Sequence, residues 1–292
     1  MKTTLKRIHT EDGLELVGLL YEPDISTKEI LVHVHGMGGN FYENRFLDSV
    51  AEVFTREGIA FFAFNNRGCE SFKDLTKISN GKKTLTRIGN AYEKFEDCLL
   101  DIKAAIDVVS KWGFESVHLS GHSLGSPKTA YYLSKTGDSR VSSLLLLSPS
   151  DMVGLVQDQP ERFESDNQKA QALVKAGKGK ELLGNQIWDE YPISASSYLS
   201  LFERGSAVDI FNFHNPSGKL EALGRIKQPI FVVMGRKDSA LIVPIEETMK
   251  RIIEAASNSI KVETKILGDA NHGYDGYEEQ LAVTMLRWIQ KI

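Results

Sequence analysis

Gly121-His122-Ser123-Leu124-Gly125 is the stretch of sequence that decides the fold of this chain. It follows residues 116–120, which have the pattern of a strand, and it opens a helical pattern that runs from about residue 124 to residue 135. Glycines on both sides of a serine permit a sharp turn that lifts the hydroxyl clear of the backbone. Because a strand precedes this turn and a helix follows it, we interpret Ser123 as a nucleophile rather than as a helix N-cap serine.

Strands and helices alternate on both sides of this turn. Short apolar runs rich in β-branched residues predict strands that are buried on both faces of a sheet. Their alternation with helices predicts an α/β fold, with a parallel sheet covered by helices on both faces. The predicted strands are residues 14–21, 30–35, 59–64, 116–120, 141–147, 230–234 and about 260–267, and the predicted helices are about 40–57, 90–113, 124–135, 244–256 and a C-terminal helix.

Two of the predicted helices carry a signal at their first residue. Asn40 is followed three residues later by Glu43, and Asn90 is followed at the same distance by Glu93. This spacing is typical of a capping box, in which the two side chains bond to backbone amides at the helix N-terminus. We therefore expect helices to begin at Asn40 and at Asn90.

Residues 150–223 interrupt the alternation. This segment contains no buried apolar run of the strand type, and it is more polar and more helical in pattern than its surroundings. We expect a helical lid inserted into a single α/β core that consists of residues 1–149 and 224–292. The aromatic side chains of the insertion, which such a lid would bury against the sheet, are Trp188, Tyr191, Tyr198, Phe202, Phe211 and Phe213.

The composition excludes several classes of protein. The chain has 292 residues, of which 41% are hydrophobic and 25% charged, and its net charge is −4 without blocks of like charge. These values exclude a disordered chain and give no electrostatic footprint for nucleic acid or an anionic membrane. No apolar run approaches the length of a membrane span, and residues 1–13 lack the apolar stretch that a secretory signal needs. Cys69 and Cys98 lack a paired metal-binding spacing. We expect a soluble, cytoplasmic protein.

A serine nucleophile needs a base that takes its proton and a carboxylate that orients the base. His272 lies in a polar loop after the last predicted strand, and Asp238 directly follows the buried strand at residues 230–234. The order Ser123, Asp238, His272 is the chain order that a nucleophile elbow requires. Asp151, at the end of the preceding strand, is the alternative acid.

Acyl transfer also needs donors that face the developing oxyanion, each worth about 3 to 4 kcal/mol. Leu124, directly after the nucleophile, supplies one backbone amide, and Met37 in the glycine-rich turn of residues 35–39 supplies the other. That turn lacks the Gly-Lys-Ser/Thr ending of a phosphate-binding loop. His33 and His35 lie on one strand face, but no third metal ligand accompanies them, so we predict no metal and no cofactor.

These residues together resemble the α/β-hydrolase superfamily over almost the whole chain. The turn at residues 35–39, the elbow at 121–125 and the loops around Asp238 and His272 are similar to the motifs of that family. Residues 65–71 are similar to its Asp-x-Arg-Gly-x-Gly-x-Ser stretch, with departures at Asn65 and Glu70, which implies a structural role for Arg67. The resemblance implies a sheet of about eight strands, with the lid between the sixth and seventh.

The prediction is a serine hydrolase that cleaves an ester, thioester or amide of a small acyl substrate through an acyl-enzyme. The pattern leaves open an acyltransferase and a non-catalytic ligand-binding member of the fold. It also leaves open a small-peptide or amide hydrolase, in which acidic lid residues such as Glu161, Glu164 and Asp166 would receive an amine. It makes no prediction of oligomeric state. The residues expected to line the substrate pocket are His35, Trp188, Tyr191, Tyr198 and Phe211.

Overall fold

A central sheet of eight strands organises the computed structural model, which describes residues 1–157 and 159–292. The strands along the chain are β1 (Lys2–His9), β2 (Glu15–Glu22), β3 (Glu29–Val34), β4 (Ala60–Phe64), β5 (Lys73–Ser79), β6 (Lys82–Ile88), β7 (Ser116–His122), β8 (Val141–Leu147), β9 (Leu182–Ile187), β10 (Tyr191–Ser194), β11 (Ile230–Met234) and β12 (Val262–Ile266). The order across the central sheet is β1-β2-β4-β3-β7-β8-β11-β12. The last six of these run parallel, and β2 is antiparallel to both of its neighbours.

Helices cover both faces of this sheet, as predicted. They are α1 (Phe46–Arg56), α2 (Cys98–Lys111), α3 (Gly125–Thr136), α4 (Met152–Leu155), α5 (Pro160–Lys175), α6 (Ala195–Phe202), α7 (Ile245–Ala255) and α8 (Glu278–Ile289). Apolar residues of α1 and α8 share one core with the sheet, and those of α2, α3 and α7 share the core on the other side. The mostly parallel, eight-stranded α/β sheet of the prediction is therefore confirmed. Among the residues that the structure describes, no helix is long and apolar enough to cross a membrane.

The central strands are buried on both faces because their side chains are apolar on both. Every residue of β4 and of β11 is buried. An apolar run without alternation suits a parallel strand between two helical layers. Three strand ends meet at the carboxyl edge of this sheet, after β7, β11 and β12, which places the three predicted catalytic loops at one edge.

Helix α1 begins six residues later than predicted. The Asn40 side chain accepts hydrogen bonds from the backbone amides of Tyr42 (3.0 Å) and Glu43 (2.8 Å), so it caps a turn that does not continue as a helix. The capping-box spacing identified a local turn correctly but did not show that the chain bends again before Phe46.

Helix α2 also begins later than predicted, at Cys98 rather than at Asn90. Two short 3-10 turns, Asn90–Tyr92 and Phe95–Asp97, precede it, and Glu93 between them has an extended backbone. Glu93 is buried and pairs with Lys128 of α3 instead of capping a helix. A tertiary contact thus overrides the local signal.

The segment between β8 and β11 contains strands, whereas the sequence predicts a helical lid there. It contains α4, α5, α6 and an antiparallel hairpin formed by β9 and β10. Trp188 and Asp189 at the tip of this hairpin have positive φ angles of 50° and 58°, without a glycine that would signal the turn in the sequence. We call Trp188–Glu190 the hairpin tip.

Arg67, for which the resemblance implied a structural role, is buried in a cluster of carboxylates. Its guanidinium lies 2.8 Å from Asp101, whose side chain is fully buried, and 3.1 Å from both Asp12 and Asp97. The loop after β4 is thereby tied to α2 and to the turn after β1.

Candidate active site

Ser123 lies in a tight turn between β7 and α3. Its φ angle of 55° is in the left-handed region, which a serine rarely adopts without constraint from its surroundings. A Cβ atom on Gly121 would clash with the carbonyl of Gly125, and one on Gly125 would clash with the carbonyl of Val34. The two glycines are therefore required by close backbone approach, and they allow the turn that presents Ser123 at the sheet edge.

His272 and Asp238 are joined by a hydrogen bond from Nδ1 to Oδ1 of 2.7 Å. Asp238 Oδ1 also accepts the backbone amide of Ala240 at 2.9 Å. Burial raises the pKa of Asp238, but the bonds from His272 and Ala240 and the charge of His272 outweigh burial, so this pKa lies below its usual value. The carboxylate is ionised and holds His272 with Nε2 directed away from Asp238.

Asp151, the alternative acid, is engaged elsewhere. Its carboxylate caps α4 through the amide of Gly154 at 2.7 Å. It also accepts the backbone amide of His214 at 2.7 Å and lies 2.8 Å from Nδ1 of that residue. Asp151 therefore orients His214, and Asp238 is the acid bonded to His272.

The hydroxyl of Ser123 is bonded to a second serine. Ser123 Oγ lies 3.2 Å from Ser150 Oγ, and within the described part of the chain no hydrogen bond joins Ser123 to His272. Ser150 follows β8 and is buried. Sequence reasoning missed it, because a serine after a strand carries no signal that it faces a residue 27 positions earlier.

His122 supports the loop of the base. Its Nε2 lies 2.8 Å from the backbone carbonyl of His272, and since a carbonyl only accepts, Nε2 carries the proton. Burial lowers the pKa of His122 to about 3, with a further contribution from His272, so the ring is neutral. Nothing in the sequence indicates this role for His122. In the structure it fixes the position of the His272 backbone.

The glycine-rich turn after β3 packs directly against the nucleophile. A Cβ on Gly36 would lie 2.9 Å from the Cβ of Ser123, so only glycine permits this approach. His35 donates from Nδ1 to the carbonyl of Gly36 at 2.8 Å and accepts the amide of Asn66 at Nε2 at 3.1 Å. Burial, followed by the charge of Lys128, lowers the pKa of His35 to about 3. The neutral ring thus has one defined tautomer.

Ser123 and His272 line a common cavity of about 520 Å³. Met37, Ser150, Trp188 and Tyr191 also line it. The carboxylates of Glu43 and Glu190 also line it, and no lysine or arginine does so among the described residues. The cavity is therefore partly apolar and carries negative charge.

Comparison with known proteins assigns the chain to a family. The model of the family described as "Protein of unknown function (DUF1749)" matches residues 21–291. The chain belongs to this family.

Solved structures similar to this DUF1749 protein share its architecture. Est1E from Butyrivibrio proteoclasticus, solved with ferulic acid bound, is 18% identical with a TM-score of 0.66, and 98% of each chain is covered. The Pyrococcus furiosus esterase Pf2001 is 18% identical with a TM-score of 0.66, covering 99% of this chain and 91% of that one. The α/β hydrolase GrgF from Penicillium sp. sh18 is 16% identical with a TM-score of 0.71, covering 99% and 97%. The DUF1749 protein therefore has the α/β-hydrolase fold.

Three of the predicted pocket residues do not line the cavity of the DUF1749 protein. His35 is buried behind the glycine-rich turn, Tyr198 donates its hydroxyl to the carbonyl of Phe163 inside the insertion, and Phe211 stacks on Phe213. The other two, Trp188 and Tyr191, line it. The aromatic content of a segment predicts burial. It does not show which aromatic residues pack within the segment between β8 and β11 and which of them line the cavity.

His33 and His35, considered above as metal ligands, have separate partners in the DUF1749 protein. His33 Nδ1 lies 2.9 Å from the hydroxyl of Ser120, whereas His35 bonds to Gly36 and Asn66. His33 is thus bonded to a side chain of the neighbouring strand β7, and His35 is bonded to backbone groups of two loops. The two do not form a ligand pair.

Proposed function

We propose that the protein is a serine hydrolase that cleaves a carboxylic ester, thioester or amide through an acyl-enzyme. Ser123 is the nucleophile, His272 the general base and acid, and Asp238 the acid that orients His272. The observation that carries this proposal is the Asp238–His272 hydrogen bond, with His272 and Ser123 lining the same cavity.

The reaction begins when the substrate carbonyl enters the cavity above Ser123. The Ser123 hydroxyl leaves Ser150 and donates to Nε2 of His272, a rotation expected because catalytic hydrogen bonds often tighten only with substrate bound. The Oγ–carbonyl bond forms, the proton passes to Nε2, and the carbonyl oxygen becomes an oxyanion. Asp238 stabilises the imidazolium that results.

The backbone amides of Met37 and Leu124 are the proposed donors to this oxyanion. Leu124 directly precedes α3, so its amide lies at a helix N-terminus, where dipoles favour negative charge. Collapse of the intermediate breaks the bond to the leaving group, which takes the proton from His272. Water then repeats the sequence on the acyl-enzyme and releases the acid.

The structural relatives suggest where to look for a substrate. Est1E has been solved with ferulic acid, an aromatic carboxylic acid, and Pf2001 is described as an esterase. Trp188 and Tyr191 line the cavity of the present protein and would pack against a flat apolar group. Esters of aromatic and short aliphatic acids are therefore the first substrates to assay.

An acyltransferase would use the same residues but would deliver the acyl group to an acceptor other than water.

An amide hydrolase is the other enzymatic alternative. The acidic residues that line the cavity are Glu43 and Glu190, rather than Glu161, Glu164 and Asp166 of α5, which the sequence had suggested would receive an amine. We retain ester hydrolysis as the proposal, with these two activities as outcomes of a substrate panel.

The test is labelling with a fluorophosphonate probe, located by mass spectrometry. The wild type should be labelled at Ser123, and Ser123→Ala should not be labelled. Ser134→Ala, on the same helix α3 and away from the cavity, is the control and should be labelled like the wild type. Labelling that persists in Ser123→Ala, or no labelling of the wild type, would reject the proposed nucleophile and leave the non-catalytic alternative.

A further inference from the structure

Lys128 and Glu93 form a buried ion pair beside the candidate active site. Lys128 lies on α3, five residues after the nucleophile, and its side chain is fully buried, while that of Glu93 is 1% exposed. The ammonium and the carboxylate are in direct contact. A buried charge is unfavourable unless it is paired and hydrogen-bonded, and replacing such a pair with apolar residues is often neutral for stability. Stability alone therefore does not account for this pair.

The pair is connected to the loop after β4 through Asn66. Lys128 Nζ donates to Asn66 Oδ1 at 3.2 Å, and the same oxygen accepts the backbone amide of Gly68 at 2.9 Å. The backbone amide of Asn66 in turn donates to Nε2 of His35. Asn66 thus connects the two residues, since its side chain bonds to the buried cation and its backbone amide bonds to the histidine of the glycine-rich turn.

His35 acts on the peptide unit that carries a proposed oxyanion donor. Its Nδ1 donates to the carbonyl of Gly36, and this carbonyl shares a planar peptide with the amide of Met37. In a trans peptide the carbonyl and the amide hydrogen point in opposite directions. Holding the Gly36 carbonyl toward His35 therefore sets the direction of the Met37 N–H.

The local backbone is arranged to admit the pair. A Cβ on Gly68 would overlap the carboxylate of Glu93, so glycine is needed there for space. Glu93 itself interrupts the helical pattern that begins at Asn90, with an extended backbone that turns its side chain inward. Both departures from regular structure serve the contact with Lys128.

We infer that Lys128 and Glu93 are positioning residues for the oxyanion donor at Met37, acting through Asn66 and His35. The cation beside Asn66 keeps Oδ1 and the Asn66 backbone in place, and the Asn66 amide keeps His35 in the tautomer that donates to Gly36. This inference rests on the proposed function only for its effect on rate, because the tautomer and the rigidity of the turn can be measured without turnover.

The first experiment compares the wild type with Lys128→Met in the full chain. We expect kcat for an ester to fall roughly ten- to a hundredfold, because a donor that is misoriented loses part of its effect on the transition state. The Ki of a trifluoromethyl ketone, which forms an oxyanion on the nucleophile, should rise by a similar factor, and KM should change by less than about twofold.

The matched control is Tyr132→Phe. Tyr132 is buried on the same helix, one turn after Lys128, its hydroxyl bonds to Asp138 at 2.6 Å, and neither residue lines the cavity. This substitution should lower the unfolding midpoint and leave kcat equal to that of the wild type. Asn66→Ala leaves the ion pair intact and should show part of the loss of kcat. This variant replaces Lys128→Met in the test if Lys128→Met does not fold.

A second measurement does not depend on catalysis. ¹⁵N NMR of His35 should show a proton on Nδ1 in the wild type and a mixture of tautomers in Asn66→Ala or Lys128→Met. Hydrogen exchange at the Met37 amide should be faster in both variants. If the wild type hydrolyses esters while Lys128→Met keeps kcat, Ki, tautomer and exchange rate, the positioning role is rejected. If the wild type is inactive, the proposed function fails and the NMR and exchange results decide the positioning role.

Discussion

Nδ1 of His272 lies 2.7 Å from Oδ1 of Asp238, and the side chain of Asp238 is completely buried. This contact selects Asp238 over Asp151, which instead bonds to His214. Asp238→Asn should therefore lower kcat by roughly 10³- to 10⁴-fold, because an amide does not hold the required tautomer or stabilise the imidazolium. Steady-state kinetics of ester hydrolysis measures this loss.

The paired variant is Asp151→Asn. It weakens the cap of α4 and the contact with His214, so we expect a lower unfolding midpoint and a change in kcat below about tenfold. The reverse pattern, with kcat lost in Asp151→Asn and kept in Asp238→Asn, would show that the acid is misassigned.

In the proposed reaction, Ser150 would compete with His272 for the hydroxyl of Ser123. The hydroxyl oxygens of Ser123 and Ser150 are 3.2 Å apart, and a hydrogen bond of this kind is worth about 1 kcal/mol. Ser150→Ala should free the nucleophile and raise the rate of fluorophosphonate labelling by up to about fivefold. A slower rate would indicate that Ser150 donates to the reacting oxygen.

His214 is bonded to Asp151, in the loop after β8, and the strength of this contact depends on pH. The hydrogen bond to Asp151 raises the pKa of His214 above its usual value of 6.5, and the charges of Asp151 and Asp209 add to this effect against burial and Arg204. The stability that protonation contributes is complete below about pH 6.5 and is lost as the pH rises through the raised pKa. Urea unfolding of the wild type and His214→Gln, compared between pH 5.5 and pH 8.5, should show a stability difference that shrinks with rising pH.

The control for this measurement is His9→Gln, which replaces a half-exposed histidine on β1 far along the sheet from the insertion. We expect it to keep the pH dependence of the wild type. A stability difference for His214→Gln that is constant across the pH range would contradict the assignment.

The central sheet and the positions of the loops that carry Ser123, Asp238 and His272 could be predicted from the sequence because their signals are local. An apolar run such as β11 predicts a buried strand, and Asp238 and His272 follow strand ends. The hairpin of β5 and β6 could also have been predicted from its turn, since Asn80-Gly81 joins the two strands and both residues have positive φ angles. The strands themselves are rich in charged residues and lack the apolar pattern that indicates a strand.

The features that sequence reasoning missed depend on contacts between distant residues. Glu93 has an extended rather than a helical backbone and pairs with Lys128, which lies 35 positions later. Ser150 contacts Ser123 because β7 and β8 are neighbouring strands. The tip at Trp188 and Asp189 has left-handed backbone without glycine, which no propensity indicates. In each case the tertiary environment decides the local structure.

The charge of the cavity predicts which acyl groups it accepts. Glu43 and Glu190 line the cavity, and neither forms a salt bridge with any residue that the structure describes. Burial raises the pKa of the Tyr191 hydroxyl, and the charge of Glu190, a hydrogen bond to Glu190 and the charge of Glu43 raise it further, to about 12. Both carboxylates are therefore close to Tyr191, which also lines the cavity. An anionic substrate would enter against these charges without a cation to compensate.

Nitrophenyl butyrate should therefore be a better substrate than the nitrophenyl monoester of succinate, whose acyl chain has the same length in carbon atoms and ends in a carboxylate. We expect kcat/KM to differ by more than about tenfold at low salt and by less at high salt, because salt screens exposed charges. The double variant Glu43→Gln/Glu190→Gln should reduce the difference severalfold. Glu221→Gln, an exposed glutamate outside the cavity, should leave it unchanged. Equal kcat/KM for the two esters in the wild type would show that these carboxylates do not select the substrate.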